Sequence, residues 1–245
     1  MEHDKAVQIE KTKQCKNCDA TLQPEYRFCA HCGQSVKIKR LSLKQVRKDV
    51  IKKFLHADEG IIHLTKALAL QPGKAIRAYL KGRRKQYYDP LKYLTLSVGI
   101  SVLATEYFDL MSATSPRSNP VTIFVARHIN VIFMLSVPVA AFFSWLFFSK
   151  KRYNYAEHLA LHAFAGGFRT IFYLLIFTPF VALFREQYNA ILLLYFGAWT
   201  SYLIWINRQL FEEPLWLVIL KTVAIVLFLQ IFISLCIFVG AWIIL

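Results

Sequence analysis

The chain has 245 residues, 56 % of them hydrophobic, and a formal net charge of +15. Its mean hydropathy is positive, which excludes an ordinary soluble domain. The charge is also uneven: residues 1–90 hold 20 Lys and Arg against 9 Asp and Glu, whereas residues 91–245 hold 10 against 6. A basic head therefore precedes an apolar body and calls for an anionic partner, whether lipid headgroups, nucleic acid or an acidic protein.

Residues 1–14 are hydrophilic and read as a flexible N-terminus with no apolar signal-peptide core. Residues 15–36 carry C-K-N-C, ten residues and then C-A-H-C-G. Two C-x-x-C knuckles at this spacing predict a zinc ribbon with Cys15, Cys18, Cys29 and Cys32 as ligands. The intervening residues, with Pro24, Tyr26 and Phe28, suit a hairpin that joins the knuckles, and Gly33 suits a left-handed position. Four cysteine ligands leave no open coordination position, so the expected Zn²⁺ is structural. Two disulfides are the rival reading, but the absent secretory signal argues for a reducing cytoplasm. His31, inside the second knuckle, is a substitute ligand or a solvated side chain.

Residues 37–90 read as basic amphipathic helices next to the membrane. Leu43, Val46, Val50, Ile51, Phe54 and Leu55 recur at helical spacing between Lys44, Arg47, Lys48, Lys52 and Lys53. A more apolar helix is expected over Ile61–Leu70, ending at Pro72-Gly73. Beyond it, Lys74, Arg77 and Lys81 fall three or four apart on one helix face, followed by Arg83, Arg84 and Lys85. These six residues are candidates for binding an anionic surface, and Tyr79, Tyr87 and Tyr88 between them would also suit single-stranded nucleic acid. The plainer reading, that the charges fix topology and the tyrosines form an interfacial belt, explains every residue and is preferred.

Residues 91–245 predict an α-helical multi-pass membrane domain with about five transmembrane helices, near 93–111, 129–149, 163–184, 188–206 and 222–245. The first of these ends at Glu106 and Asp109, and a buried or re-entrant helix is its rival reading. Pro138 and Pro179 fall inside spans, and Pro179 is expected to kink its helix. The basic run before the first span, and Lys150, Lys151 and Arg152 after the second, place the N-terminus in the cytoplasm. With five spans the C-terminus is periplasmic.

Y-N-Y-A-E-H-L-A-L-H, Tyr153 to His162, precedes the third span. His158 and His162 are one helical turn apart, and Arg169 lies two turns beyond His162 on the same face. With Glu157 they form a candidate polar intramembrane site, to which Lys221 and Gln230 are added as polar groups at membrane depth. The rivals are a polar cluster that only ties helices together, and a two-histidine metal site that lacks a third ligand; His128 is too far away. Cys236, alone in the last span, reads as a packing or lipid-facing residue. The chain shows no phosphate-binding loop, dinucleotide fingerprint or nucleophile elbow, and the reading leans away from an enzyme.

The F-C-A-H-C-G-Q of Phe28–Gln34, the P-G-K-A-I-R-A-Y-L-K-G-R-R-K-Q-Y-Y-D-P-L-K-Y-L of Pro72–Leu94, and Y-N-Y-A-E-H carry a resemblance. With these motifs the chain resembles an uncharacterised family of bacterial multi-pass membrane proteins bearing an N-terminal zinc ribbon. The resemblance implies a membrane location and the ribbon, and supplies no activity. Three functions compete. The preferred one is an inner-membrane binding, scaffold or accessory subunit that engages protein partners and anionic lipid, with nucleic acid a lesser candidate. The others are a transporter or channel component with a polar intramembrane site, and a membrane enzyme acting on a lipid or lipid-linked substrate.

Overall fold

A computed structural model describes residues 13–37, 41, 60–107, 120–148 and 153–244. The amphipathic helix expected over 43–55, the basic cluster 150–152, Asp109 and the side chains of Glu106 and His128 lie outside the described residues.

The ribbon is two copies of one small device. In each knuckle the first cysteine's carbonyl accepts from the N–H four residues on, Asp19 to Cys15 and Gly33 to Cys29. That turn needs a left-handed residue at its end, and both Asp19 (φ 58°) and Gly33 (φ 68°) supply it. The first cysteine's own N–H then donates to a carbonyl beyond the turn, Cys15 to Ala20 and Cys29 to Gln34. The expected hairpin sits elsewhere than predicted. Strands β1 (Lys13–Gln14) and β2 (Thr21–Leu22) pair antiparallel around the first knuckle, and Phe28 bridges to Ser35 around the second. Each knuckle is thus closed by its own strand pair, and Pro24–Tyr26 only links them.

The remainder is helical. Helices α1 (Gly60–Leu70) and α2 (Pro72–Leu80) are separated by Gln71, because Pro72 starts a helix well and continues one badly. Helix α3 (Pro90–Tyr107) begins where Asp89 accepts from the N–H groups of Leu91 and Lys92. Helix α4 runs Pro120–Phe147, through Pro138. Helix α5 (Tyr155–Phe172) continues through a π-helical turn (Tyr173–Phe177) into α6 (Thr178–Leu183). The wider turn comes just before Pro179, which lacks an N–H, and the Thr178 hydroxyl donates to the Tyr173 carbonyl there. Helices α7 (Tyr188–Phe211) and α8 (Leu215–Ile244) follow; left-handed Glu212 (φ 52°) stops α7.

Three helical segments are long and apolar enough to cross a membrane: Tyr155–Leu183, Tyr188–Phe211 and Leu215–Phe238. The described apolar parts of α3 and α4, Pro90–Ala104 and Ile132–Phe147, are shorter. Three of the five predicted spans therefore meet that criterion. The third begins at Tyr155 rather than Ala163, because its polar start is capped and buried within the helix.

Helix α5 is the centre of the body and packs against α1, α2, α3 and α4. Its buried face is rich in Ala and Gly, which lets neighbouring backbones approach. A Cβ at Gly167 would lie 2.5 Å from Tyr93 Cδ1 on α3, so only glycine permits this crossing. Gly73 is held in the same way against Gln209, where α2 meets α7. Helices α4 and α5, α5 and α7, and α7 and α8 run antiparallel. The start of α3 lies against the middle of α5, while the end of α4, the start of α5, the end of α7 and the start of α8 gather at one end of the body. There Phe148 stacks on Phe211 at 4.1 Å, His158 stacks on Phe211, and Arg77 pairs with Glu212 at 3.0 Å.

Candidate functional site

The four cysteine Sγ atoms lie within 4.8 Å of one another. Cys15 and Cys32 are 3.6 Å apart and Cys18 and Cys29 3.7 Å. A tetrahedral thiolate site with metal–sulfur bonds of about 2.3 Å has sulfur–sulfur edges of about 3.8 Å, so the cluster has the dimensions of a metal site. The distances are far too long for disulfides, and all four thiols are free. Burial raises the Cys15 thiol, but the N–H groups of Cys18 and Asn17 and the sulfurs of Cys32 and Cys18 outweigh it and bring it down to about 7. The Cys18 thiol moves the other way, to about 12. The Ala20 N–H favours its thiolate, but burial and the sulfurs of Cys32, Cys15 and Cys29 prevail. Four crowded sulfurs hold their protons unequally, which is the arrangement a cation resolves. Among the described residues this is the one group of three or more His, Cys, Asp or Glu side chains close enough to hold a metal. His31 is exposed.

The ribbon is docked on the helical body. Gln34, the residue after Gly33, is buried and reaches into the loop after α2. Its amide nitrogen donates to the Gly82 carbonyl at 2.8 Å, and its oxygen accepts from the N–H groups of Arg84 and Lys85 at 3.1 Å. Asn17 accepts from the Gln86 N–H at 3.0 Å, and Asp19 pairs with Arg83 at 3.2 Å. The left-handed Gly82 (φ 112°) turns the loop to present these groups.

This docking divides the predicted anionic-surface residues. Arg77 is used internally, donating to the Gln209 carbonyl and pairing with Glu212, and Arg83 is committed to Asp19. Arg84 is half-buried, whereas Lys74, Lys81 and Lys85 are exposed. Three of the six are therefore open to an outside partner.

The predicted polar intramembrane group divides as well. Glu157 caps its own helix: Asn154 Oδ1 accepts from the Glu157 N–H at 3.0 Å, and Glu157 accepts from the Asn154 N–H at 2.7 Å. The N-x-x-E spacing of Asn154 and Glu157 is the sequence signal for this cap. His158 is 2.9 Å from the Ser144 hydroxyl through Nδ1 and lies flat on Phe211, so it belongs to the packed ribbon end. Lys221 lies 2.7 Å from buried Glu213. His162, Arg169 and, at its edge, Gln230 share a common space, a cavity of about 60 Å³ between α3, α4, α5, α7 and α8. Its other polar lining is Ser136 and Thr170. Arg169 Nε donates to the Tyr195 hydroxyl at 2.9 Å, and its guanidinium lies 3.3 Å from the centre of the Phe133 ring and 5.5 Å from that of Trp199. These aromatic partners sit on other helices, out of reach of reasoning by spacing.

Residues 58–102 match the model of a protein family described as being of unknown function (DUF3667). The match takes in α1, α2, the loop on which the ribbon docks and most of α3, and leaves the ribbon and the later helices outside it. No curated protein and no solved structure matches the chain.

Proposed function

We propose that this chain is a non-catalytic accessory subunit of the bacterial inner membrane. In this reading a zinc-stapled ribbon, fixed to the mouth of a five-helix membrane body, forms a rigid cytoplasmic face for partner proteins. The observation that carries it is the Gln34 bridge: a buried side chain meets three backbone groups of the Gly82–Lys85 loop, so the ribbon is held as part of the body. A ribbon on a free tether would need no such complementarity. The antiparallel run of α4, α5, α7 and α8, with α3 before them, supports five crossings with the N-terminus inside and the C-terminus outside. Exposed Lys74, Lys81 and Lys85 on the ribbon side support contact with anionic headgroups.

The zinc is a staple. Cys15, Cys18, Cys29 and Cys32 would hold it, and it supplies the folding energy of a segment with almost no core of its own. The capping role of Glu157 removes a carboxylate that a lipid-acting enzyme would use as a base. Cross-linking in intact membranes followed by mild-detergent purification tests the reading. Subunits bound to the native chain and released from a Cys29→Ser, Cys32→Ser variant that still inserts are expected. An unchanged set, or a chain that purifies alone in both forms, contradicts it.

A further inference from the structure

The Arg169 cavity is unlike the rest of the body. Arg169 is the fifteenth of the 29 residues of the segment Tyr155–Leu183, about 21 Å along the helix from its start. If that segment crosses the membrane, as the reading above holds, the guanidinium lies near mid-depth, where an unpartnered cation is costly. It is 9 % exposed, and among the described residues no carboxylate pairs with it. Glu157, Glu212 and Glu213 are all engaged at the ribbon end. The rings of Phe133, Tyr195 and Trp199 stabilise the charge but accept no hydrogen bond in their planes. Arg169 Nη2 is buried without a hydrogen-bond partner among the described residues, and so is His162 Nε2 in the same cavity. The two hydroxyls there donate elsewhere, Ser136 to the Phe133 carbonyl and Thr170 to the Gly166 carbonyl, and neither oxygen accepts from Arg169 Nη2.

We infer that this cavity is a binding site for the anionic headgroup, carboxylate or phosphate, of a membrane amphiphile, one per chain. A headgroup oxygen accepts from Arg169 Nη2, and a second accepts from His162 in its Nε2–H form. The remaining walls are apolar, Leu94, Val137, Leu203 and Ile225 among them, so a hydrated inorganic ion would lose its water with little in return. Gln230 marks the way in. It is exposed at the cavity's edge, the single amide in an otherwise apolar stretch of α8, beside exposed Leu227, Ile231 and Phe232. A headgroup passing Gln230 leaves its chain lying along that apolar face, where lipid would be.

Native mass spectrometry of the full chain, delipidated in mild detergent, tests this with three probes sharing one acyl chain: oleate, oleoyl lysophosphatidate and uncharged monooleoylglycerol. A single charged amphiphile is expected to bind at least about tenfold more tightly than the uncharged one, the size of effect a charge-assisted hydrogen bond gives. Preference for oleate identifies a carboxylate ligand and preference for lysophosphatidate a phosphate; both support the inference. Arg169→Met should abolish the preference. Should that variant not fold, Ala140→Leu, which narrows the cavity and keeps the guanidinium, must weaken it instead. Equal binding of charged and uncharged probes overturns the inference. So does a preference that survives Arg169→Met in folded protein, or Ala140→Leu where that variant stands in. Carbonate extraction of the membranes from which the chain is purified separates the two readings: a chain that stays in the membrane yet shows no preference refutes only the cavity.

Discussion

The polar groups of the ribbon end are mostly paired and those of the mid-body cavity are not, although His158 Nε2 beside Phe211 is also buried without a partner among the described residues. At the ribbon end, Gln34, Arg77, Glu157 and Lys221 each meet a protein partner within hydrogen-bonding reach. In the middle of the body, Arg169 and His162 keep buried nitrogens that no described protein group satisfies. The first pattern is that of structure: polar groups chosen to complete one another, so that helices end and dock where they must. The second is that of a site, where the protein supplies half of an interaction and leaves the other half for a ligand. The difference teaches that polarity at membrane depth is no guide to function until its partners are counted.

The largest effect expected belongs to the metal. Chelation, or Cys29→Ser with Cys32→Ser, should unfold residues 13–37, because metal binding in such modules supplies on the order of 10 kcal/mol. Metal analysis should give about one zinc per chain. Hydrogen exchange should then show the Gly82–Gln86 amides losing protection while α5 keeps its own. Protection retained in the ribbon without metal would break the structural half of the comparison.

Next comes the α3–α5 crossing, which carries the cavity. Gly167→Ala places a methyl against the Tyr93 ring and should destabilise by roughly 1–3 kcal/mol, read by thermal unfolding in detergent. A neutral result would mean that the two helices are not held at this distance. Smaller again is the cap. Asn154→Ala removes the side-chain cap on the Glu157 N–H, leaving it the Asn154 carbonyl alone, and should cost about 1 kcal/mol. It should leave amphiphile binding unchanged, since Glu157 belongs to the structural set. A lost charge preference in Asn154→Ala would blur the line between the two regions. The smallest effect is at the surface: Arg83→Ala removes an exposed pair with Asp19 and should cost no more than about 1 kcal/mol.

How much of this was legible in the sequence depends on whether the information was local. The cysteine spacing fixes four sulfurs within one short segment, and the structure brings them together at metal-site distances. Long apolar runs announced the helices, but not where they start. The third predicted span starts only at Ala163 because Tyr155–His162 is too polar for an apolar run, whereas Asn154 and Glu157 already begin the helix there. The shared face of His162 and Arg169 followed from a seven-residue spacing, and both line the cavity. What joins Gln34 to Gly82, or Arg169 to Tyr195 and Phe133, is contact between segments distant in the chain or on different helices. No periodicity encodes that.

The central claim, that half-buried Lys221 is structural and buried Arg169 awaits a ligand, is tested most directly by comparing two methionine substitutions in ligand-free protein. Lys221→Met strands the carboxylate of Glu213, which is 5 % exposed, and should lower the unfolding temperature clearly, in line with a loss of roughly 3 kcal/mol for breaking such a pair. Arg169→Met removes a charge that no carboxylate among the described residues offsets and leaves an apolar side chain among Phe133, Tyr195 and Trp199. Its unfolding temperature should match or exceed that of the native chain. An Arg169→Met protein that falls as far as Lys221→Met would show that both cations are structural, and the distinction would be lost.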